Sequence, residues 1–357
     1  MTGTLSDALK DIIRTNGPMT LASWMGHCLG HPEHGYYVTR DPFGASGDFI
    51  TAPEVSQMFG EIIGAWVIDL WQQAGCPQPV NLVELGPGRG TLISDILRVV
   101  RLKPNFCSEL SVHLVETSPV LAKAQETALA SFAGRKEWHE SLQTLPQGPL
   151  FVVANEFFDA LPIRQFVFRR GSWEERMLGL DAEGELTFGF GPGRPENVPF
   201  EPQDGDVWEE RPAAAPIVAE LAERFASDGG GALIIDYGHG EPGFGDTLQA
   251  VARHEFADPL KRPGEVDLTA HVDFAALSDA AFAAGADVYG PMHQGEFLLH
   301  LGLVERAGRL GFGRSEEEQE ALRNEVTRLA GPEEMGELFK VLAIVKPGLV
   351  PAPFANS

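Results

Sequence analysis

Three glycines at alternate positions form a turn that suits a nucleoside-type ligand. Gly86, Gly88 and Gly90 lie between an apolar run and a helix-like segment, within the stretch Leu82–Thr91, and Pro87 belongs to the same predicted site. Each glycine removes a Cβ from a tight turn, so the backbone can approach a ligand at the end of a strand. The spacing differs from the GxGxxG of pyrophosphate sites and lacks the GK[ST] ending of a P-loop.

Two acidic residues narrow the class of ligand. Glu84 lies two residues before the first glycine, where a negative charge repels phosphate and suits a cationic sulfonium or ammonium group. Glu116 ends the next predicted strand, where a carboxylate can accept hydrogen bonds from both hydroxyls of a ribose. A Glu84 that only caps the neighbouring helix, and a Glu116 that is merely exposed, remain alternatives.

An acidic pair follows another predicted strand. Glu156 and Asp159 come just beyond the predicted strand at 149–154, the edge at which open α/β sheets place active sites. Carboxyl groups in such a position can hold or accept a proton during a reaction. Asp159 as the N-cap of a helix remains the alternative for that residue.

Three further side chains are candidates with weaker support. Asp48 and Thr51 lie in a Gly- and Pro-containing loop, which we expect to fold over the ligand as a lid. His271 is a candidate base or substrate contact and follows a stretch with helix-like composition. A structural turn around Asp48 and a purely structural His271 remain open.

Apolar strands that alternate with helices must position these side chains. Such alternation implies right-handed crossovers and a mainly parallel α/β sheet that is covered on both faces. The predicted strands are Val80–Leu85, Leu110–Val115, Pro149–Ala154 and Ala232–Asp236, and the helices between them are Thr91–Leu102, Pro119–Phe132 and Pro216–Ala226.

The remaining segments surround this core. Residues 1–75 are predicted as a helical and lid segment, residues 76–162 plus 213–345 as the core, and residues 163–212 as an inserted antiparallel β element that contacts substrate or a partner. Further elements are the predicted helices Leu5–Thr15, Leu21–Leu29 and Glu54–Gln73, the tail strands Asp287–Met292 and Phe339–Val345, and the tail helices Glu296–Leu310 and Ser315–Leu329.

The composition limits the class of partner. The 357 residues include 51 acidic and 27 basic ones, and the formal charge of −24 argues against nucleic-acid or anionic-membrane binding. A basic protein partner fits this charge, although acidity also serves solubility. Three widely spaced cysteines and the lack of a zinc-type pattern favour a reducing, cytoplasmic location without a metal. No apolar run is long enough to span a membrane.

Four segments together resemble a known family. They are Gly47–Glu54 (GDFITAPE), Leu82–Thr91, Asn155–Pro162 (NEFFDALP) and His271–Phe274 (HVDF). In this order they resemble the mitochondrial complex I assembly-factor methyltransferase family and its bacterial relatives, from residue 18 to residue 345. The absence of a transit peptide suits a bacterial relative.

The resemblance implies a fold, a cofactor and an activity. The fold is that of class I methyltransferases, with S-adenosyl-L-methionine as cofactor, and the activity is protein arginine methylation. The mitochondrial members symmetrically dimethylate an arginine of a complex I subunit. The implied cofactor-binding residues are Glu84, Gly86, Pro87, Gly88, Gly90, Glu116, Asn155, Asp48 and Thr51, and the implied catalytic residues are Glu156, Asp159 and His271.

An acidic pair fits this chemistry, because methyl transfer from a sulfonium requires an aligned and deprotonated nucleophile. The guanidinium of arginine is charged and a poor nucleophile. Two carboxylates can fix its plane and localise its charge on one nitrogen while another attacks.

Three other functions remain open at this point. A nicotinamide-dependent oxidoreductase would share the sheet and the strand-end acid but not the glycine spacing. A small-molecule methyltransferase would favour a tight apolar pocket. A non-catalytic assembly factor would keep the cofactor site only for stability. A homodimer through the apolar helix near 296–304 is also possible on sequence, although a core-facing stripe explains that helix equally well.

Overall fold

The structure, a computed structural model, describes residues 4–39, 51–252 and 255–354. No helix in these ranges is long and apolar enough to cross a bilayer. The helices are α1 Leu5–Asn16, α2 Leu21–Gly30, α3 Tyr36–Thr39, α4 Ala52–Val55, α5 Gln57–Gln73, α6 Thr91–Val100, α7 Pro104–Cys107, α8 Pro119–Ala128, α9 Ala214–Asp228, α10 Phe274–Ala283, α11 Gln294–His300, α12 Leu303–Gly311, α13 Glu316–Ala330 and α14 Met335–Leu338. The strands are β1 Met19–Thr20, β2 Val80–Leu85, β3 Leu110–Val115, β4 Arg135–His139, β5 Leu150–Asn155, β6 Arg164–Arg169, β7 Ser172–Leu180, β8 Leu186–Pro192, β9 Val207–Glu210, β10 Gly230–His239, β11 Gln249–Ala252, β12 Glu255–Phe256, β13 Asp267–Thr269, β14 Val272–Asp273, β15 Asp287–His293 and β16 Phe339–Val345.

A mainly parallel sheet forms the centre of the protein, as the sequence predicts. Its strands follow the order β15-β16-β10-β5-β2-β3-β4. From β10 to β4 every neighbouring pair is parallel, whereas β16 pairs antiparallel with both β10 and β15. Because the parallel strands run in one direction, their carboxyl ends form one edge, and the predicted site residues follow these ends.

Helices cover both faces of this sheet. On one face α5 and α6 pack over the inward side chains of the strands, and on the other face α9 and α10 do so. The predicted helix Glu54–Gln73 is interrupted at Ser56, which is extended and whose hydroxyl caps the N-terminus of α5. The thick apolar face predicted for this helix packs on the sheet.

A second, antiparallel sheet lies beside the first and has the order β1-β7-β6-β9, with β8 on β7. The inserted antiparallel element is therefore confirmed, but it is not separate from the N-terminal segment. Met19 of β1 pairs with Leu178 of β7, and α1 and α2 pack with this sheet and with β13. The helix α5 packs instead on the central sheet, and the boundaries at residues 75 and 162 stay predictions.

Two predicted helical regions differ in the structure. The region 296–310 is divided at Gly302, whose φ of 93° lies in the left-handed region, so α11 ends there and α12 begins. The stretch before His271 forms strands β11 to β13 rather than a helix, and the helix α10 follows instead. Asp273 caps α10, because its carboxylate accepts a hydrogen bond from the backbone N–H of Ala276 at 3.0 Å.

Substitution by alanine should have opposite effects at two helical glycines, because only one of them lies at the contact between α5 and α6. A Cβ at Gly60 would lie 2.5 Å from the Cβ of Asp95 on α6, whereas one at Gly308 in α12 would meet nothing within 4 Å. We expect Gly60→Ala to lower the free energy of unfolding by about 1–2 kcal/mol through overpacking. Gly308→Ala should raise it by about 0.5–1 kcal/mol through helix propensity. Urea denaturation measures both, and a stabilising Gly60→Ala would contradict the packing.

Candidate active site

A cavity of about 580 Å³ lies at the carboxyl edge of the central sheet, within the volume range of small-molecule sites. Residues that follow β2, β3, β5 and β10 line it, together with the N-terminal segment and β13. The lining includes Tyr37, Thr51, Leu85, Gly86, Gly88, Val115, Glu116, Leu121, Glu140, Glu156, Phe157, Asp159, Leu161, Ile217, Tyr237, Asp267 and Thr269.

The glycine turn joins β2 to α6 and faces this cavity. Gly86 and Gly88 have φ values of 60° and 51°, in the left-handed region that favours glycine. A Cβ at Gly86 would lie 2.9 Å from the ring of Phe157, so the turn has no room for one. Gly90 and Pro87 do not line the cavity, but the N–H of Gly90 donates to the carbonyl of Pro87 at 2.7 Å and closes the turn.

Glu84 is buried behind the glycine turn, on the side away from the cavity. Its side chain is 3% exposed and does not line the cavity. The carboxyl group accepts a hydrogen bond from the N–H of Ile93 in the first turn of α6, and burial raises its pKa well above the ordinary value. The expectation that Glu84 presents a negative charge to the ligand is therefore corrected, and its helix-capping alternative fits.

One buried amide connects the glycine turn to the strand-end acid. The Nε2 of Gln125 donates to the carbonyl of Gly88 at 2.8 Å and to the carboxylate of Glu116 at 3.0 Å. Its Oε1 accepts from the indole of Trp138 at 2.9 Å, and the other oxygen of Glu116 accepts from the N–H of Ser118 at 2.7 Å. Gln125 was not predicted, because nothing in its sequence context separates it from an ordinary helical residue.

Glu156 lies where β5 ends, in a sparsely populated backbone conformation. Its φ is 49°, and for a side chain other than glycine this costs about 1–2 kcal/mol. The carboxyl group accepts hydrogen bonds from the amide of Asn155, at 3.0 Å, and from the N–H of Ala52 at the start of α4. Burial, together with the neighbouring Asp159, raises the pKa of Glu156 to about 8. Asn155 acts on Glu156 and does not itself line the cavity.

Asp159 is buried in the turn that follows, and no helix begins there, so its N-cap alternative is excluded. The hydroxyl of Tyr237 donates to its Oδ2 at 2.8 Å. Burial raises the pKa of Asp159, while Tyr237 and the charge of Arg211 act in the opposite direction. Glu156 and Asp159 thus both face the cavity, as predicted, in an environment that disfavours their charge.

Asp236 holds the acidic turn in place from the neighbouring strand. It is fully buried, and its two oxygens accept backbone hydrogen bonds from Phe158 at 3.0 Å, Asp159 at 3.2 Å and Tyr237 at 3.0 Å. Burial, together with the charges of Asp159 and Glu156, raises the pKa of Asp236, whereas the N–H of Asp159 and the charge of Arg211 oppose that rise. Asp236 and Tyr237 were not predicted, although their place at the end of a predicted strand offered the same signal as Glu116.

A buried guanidinium accompanies these acids. Arg211, just after β9, donates to the carbonyls of Leu161 at 3.2 Å, Ala270 at 2.8 Å and His271 at 3.1 Å. It thereby joins the acidic turn to the segment after β13, and its charge acts on both Asp159 and Asp236. No sequence pattern marked Arg211, since a lone arginine after a predicted β element is usually exposed.

The remaining predicted residues are distributed differently. Thr51 lines the cavity, whereas Asp48 lies outside the described residues. His271 lines a separate cavity of about 260 Å³, and its ring packs edge-on against Tyr237 with 5.7 Å between centroids. Burial lowers its pKa. The structure therefore does not bring His271 into the cavity with Glu156, because Tyr237 lies between the two.

The raised pKa of Glu156 predicts a pH dependence of stability. The pKa of Glu156 is about 8 in the folded protein and has its ordinary, lower value in the unfolded chain, so the protonated form favours folding. This contribution is fully present below the unfolded pKa and is lost as the pH rises through 8. Between about pH 5 and pH 8 we expect the unfolding free energy of wild type to fall relative to Glu156→Gln by a few kcal/mol. Urea denaturation measures the difference, with the exposed Glu126→Gln as control. Parallel wild-type and Glu156→Gln curves would contradict the burial argument.

Comparisons with known proteins agree with this geometry. Residues 62–292 match the profile of a family described as S-adenosyl-L-methionine-dependent methyltransferases. The chain is 38% identical to the mitochondrial protein arginine methyltransferase NDUFAF7 homolog of Drosophila melanogaster, over 98% of this chain and 86% of the fly protein. It is 37% identical to the mitochondrial protein arginine methyltransferase NDUFAF7 of Homo sapiens, over 93% and 81%.

A solved structure shows the same fold with a cofactor product. It is a protein from Burkholderia thailandensis, described as a methyl transferase and bound to S-adenosyl-homocysteine, with 28% identity and a TM-score of 0.83 over 96% of this chain and 92% of that one. The predicted fold class, cofactor and enzyme class are thus confirmed. The chain belongs to the family of S-adenosyl-L-methionine-dependent methyltransferases that includes the mitochondrial NDUFAF7 protein arginine methyltransferases.

Proposed function

We propose that this enzyme transfers a methyl group from S-adenosyl-L-methionine to the side chain of an arginine in a protein. The observation that carries the proposal is the pair of the partly buried Glu156 and the buried Asp159 on the wall of the cavity that also contains the glycine turn and Glu116. A cationic planar group suits this wall better than a neutral small molecule, because two acids face it and Arg211 is occupied by backbone carbonyls.

The cofactor fits the other end of the cavity. Gly86 and Gly88 leave the backbone of the turn open to a ligand, and Glu116, fixed by Gln125, is placed to accept both ribose hydroxyls. Thr51 also lines the cavity, and the roles of Asp48 and His271 stay predictions. S-Adenosyl-L-methionine, when bound there, supplies an electrophilic methyl group on a sulfonium.

The acidic pair prepares the acceptor. As a guanidinium enters, its positive charge favours ionisation of Glu156, whose pKa is near 8 without it. The carboxylates then align the guanidinium by paired hydrogen bonds. One guanidinium nitrogen attacks the methyl carbon, the carbon–sulfur bond breaks, and the electron pair stays on sulfur. The nitrogen loses its proton to a carboxylate and then to solvent.

Finer features of the prediction stay predictions. A respiratory complex I subunit as acceptor, symmetric dimethylation, a bacterial cytoplasmic location and a homodimer are all compatible with this site. The relatives compared above are mitochondrial proteins named as arginine methyltransferases, which supports an arginine acceptor.

Methyl-labelled cofactor tests the proposed acceptor. Wild type, Glu156→Gln and the exposed control Glu126→Gln would each be incubated with labelled S-adenosyl-L-methionine and extract from cells that lack the enzyme. After acid hydrolysis of the protein fraction, we expect label in methylated arginine with wild type and the control. We expect at least about a hundredfold less with Glu156→Gln, since positioning and proton acceptance are both lost. Label in another amino acid, or only in small molecules, would refute the proposal.

Cofactor binding tests the role of Glu116. We expect Glu116→Ala to weaken binding of S-adenosyl-homocysteine by about 10- to 100-fold, the value of a hydrogen-bonded charged group. Glu126→Ala removes the same charge from the exposed side of α8 and should bind as wild type does. Titration calorimetry measures both affinities, and circular dichroism verifies the fold. Unchanged affinity in Glu116→Ala would show that this carboxylate does not hold the ribose.

A further inference from the structure

Three side chains with metal-binding atoms meet at the β3–β4 edge of the central sheet. His113 on β3 lies opposite Glu137 on β4, and His139 follows two residues later on the same face of β4. None of the three lines the 580 Å³ cavity. His113 is 24 residues before Glu137 and the three fit no zinc-type spacing, so only the pairing of β3 with β4 reveals the cluster.

The distances within this cluster fit a tetrahedral ion. The Nδ1 of His113 lies 3.0 Å from the Nε2 of His139 and 3.5 Å from the Oε2 of Glu137. One ligand atom from each side chain lies within 4.8 Å of the other two. Zinc bonds of about 2.0–2.2 Å at tetrahedral angles separate their ligand atoms by about 3.4 Å, so small shifts suffice to close the site.

Neighbouring groups orient these atoms toward one another. The other ring nitrogen of His139 contacts the hydroxyl of Thr144 at 2.9 Å, which leaves Nε2 directed at the cluster. Arg135 binds the Oε1 of Glu137, with its Nε at 2.6 Å, and so leaves Oε2 for the cluster. Such outer contacts on ligating histidines and carboxylates are typical of metal sites.

A simple histidine–histidine hydrogen bond gives no role to the Oε2 of Glu137, which lies 3.5 Å from the Nδ1 of His113. Since Glu137 is about one-third exposed, solvent can reach the cluster.

We propose that His113, Glu137 and His139 bind one Zn²⁺ ion, with water as the fourth ligand. Two imidazoles and a carboxylate are ligands that zinc accepts, and the site would join β3 to β4. The carbonyl of His139 accepts a hydrogen bond from the N–H of Glu116 at 2.8 Å, so the ion would also support the strand end that carries this acid. The cluster does not line the cavity that holds Glu156 and Asp159, so the ion would take no direct part in methyl transfer.

Zinc titration of the full chain tests the site. Protein without a histidine tag would be stripped with a chelator and titrated with Zn²⁺ by calorimetry, and the metal content of untreated protein would be measured by elemental analysis. We expect one ion per chain. Thr144→Val should weaken binding about tenfold through the outer contact, and His139→Ala should weaken it by more than this.

Matched variants separate binding at this cluster from unspecific zinc binding elsewhere on the chain. His31 and His34 stack with 5.2 Å between ring centroids and offer a second pair of imidazoles to zinc. The double variant His31→Ala and His34→Ala removes this pair and should leave the zinc affinity of the chain unchanged. If His139→Ala fails to fold, the zinc affinity of Glu137→Gln is measured in its place. Binding of S-adenosyl-homocysteine to this variant then verifies that its sheet edge is intact. Absence of one-to-one binding in wild type, or equal affinity in wild type and Glu137→Gln, would reduce the cluster to a hydrogen-bonded histidine pair.

Discussion

Burial of several carboxyl groups beside the guanidinium of Arg211 is the constraint on which the active site depends. Asp159 and Asp236 are buried and Glu156 is partly buried at the carboxyl edge of the sheet, and the charge of Arg211 acts on the two aspartates. Buried charges without partners are costly, and the pKa of Glu156 is raised to about 8, so this residue retains a proton in the free enzyme at neutral pH. A guanidinium that enters the cavity would supply the positive charge that these acids lack as a partner. Recognition of the acceptor therefore depends on the same buried carboxyl groups that the fold holds in place.

The two sheets make this arrangement possible. Asp236 and Tyr237 come from β10 and hold the turn after β5. Arg211 follows β9 of the antiparallel sheet and donates to the carbonyl of Leu161 in that turn. Ala52 reaches Glu156 from the N-terminal segment. The cavity is thus formed where the central sheet, the antiparallel sheet and the N-terminal segment meet, and each contributes a bond to the acidic turn. On the cofactor side, Gln125 plays the corresponding part between the glycine turn and Glu116.

Local patterns carried most of the information about the fold. The buried strands and amphipathic helices of the parallel core were predicted with small errors at their ends, because apolar periodicity reflects packing on a sheet. The glycine turn, Glu116 and Glu156 followed from their positions at strand ends. The short strand β4 was missed, since its charged Arg135, Lys136 and Glu137 hide the β pattern.

Other features depend on contacts that sequence spacing does not reveal. Arg211, Gln125 and the His113–Glu137–His139 cluster act across long sequence separations, and the pairing of Met19 with Leu178 joins segments that looked independent. The charge of Glu84 was misjudged for the same reason, because burial beneath α6 raises its pKa. The role of His271 as a base or substrate contact stays a prediction, and the contact of its ring with Tyr237 could not be read from the sequence.

Proton release on acceptor binding tests the charge balance most directly. The methylated protein found by labelling, or a peptide that spans its target arginine, would be titrated into the enzyme with S-adenosyl-homocysteine present, in buffers of different ionisation enthalpy. At neutral pH the account predicts release of about one proton per site in wild type, and clearly less in Glu156→Gln. Binding of the arginine without proton release in wild type would contradict it, because the acids would then be charged before the guanidinium arrives.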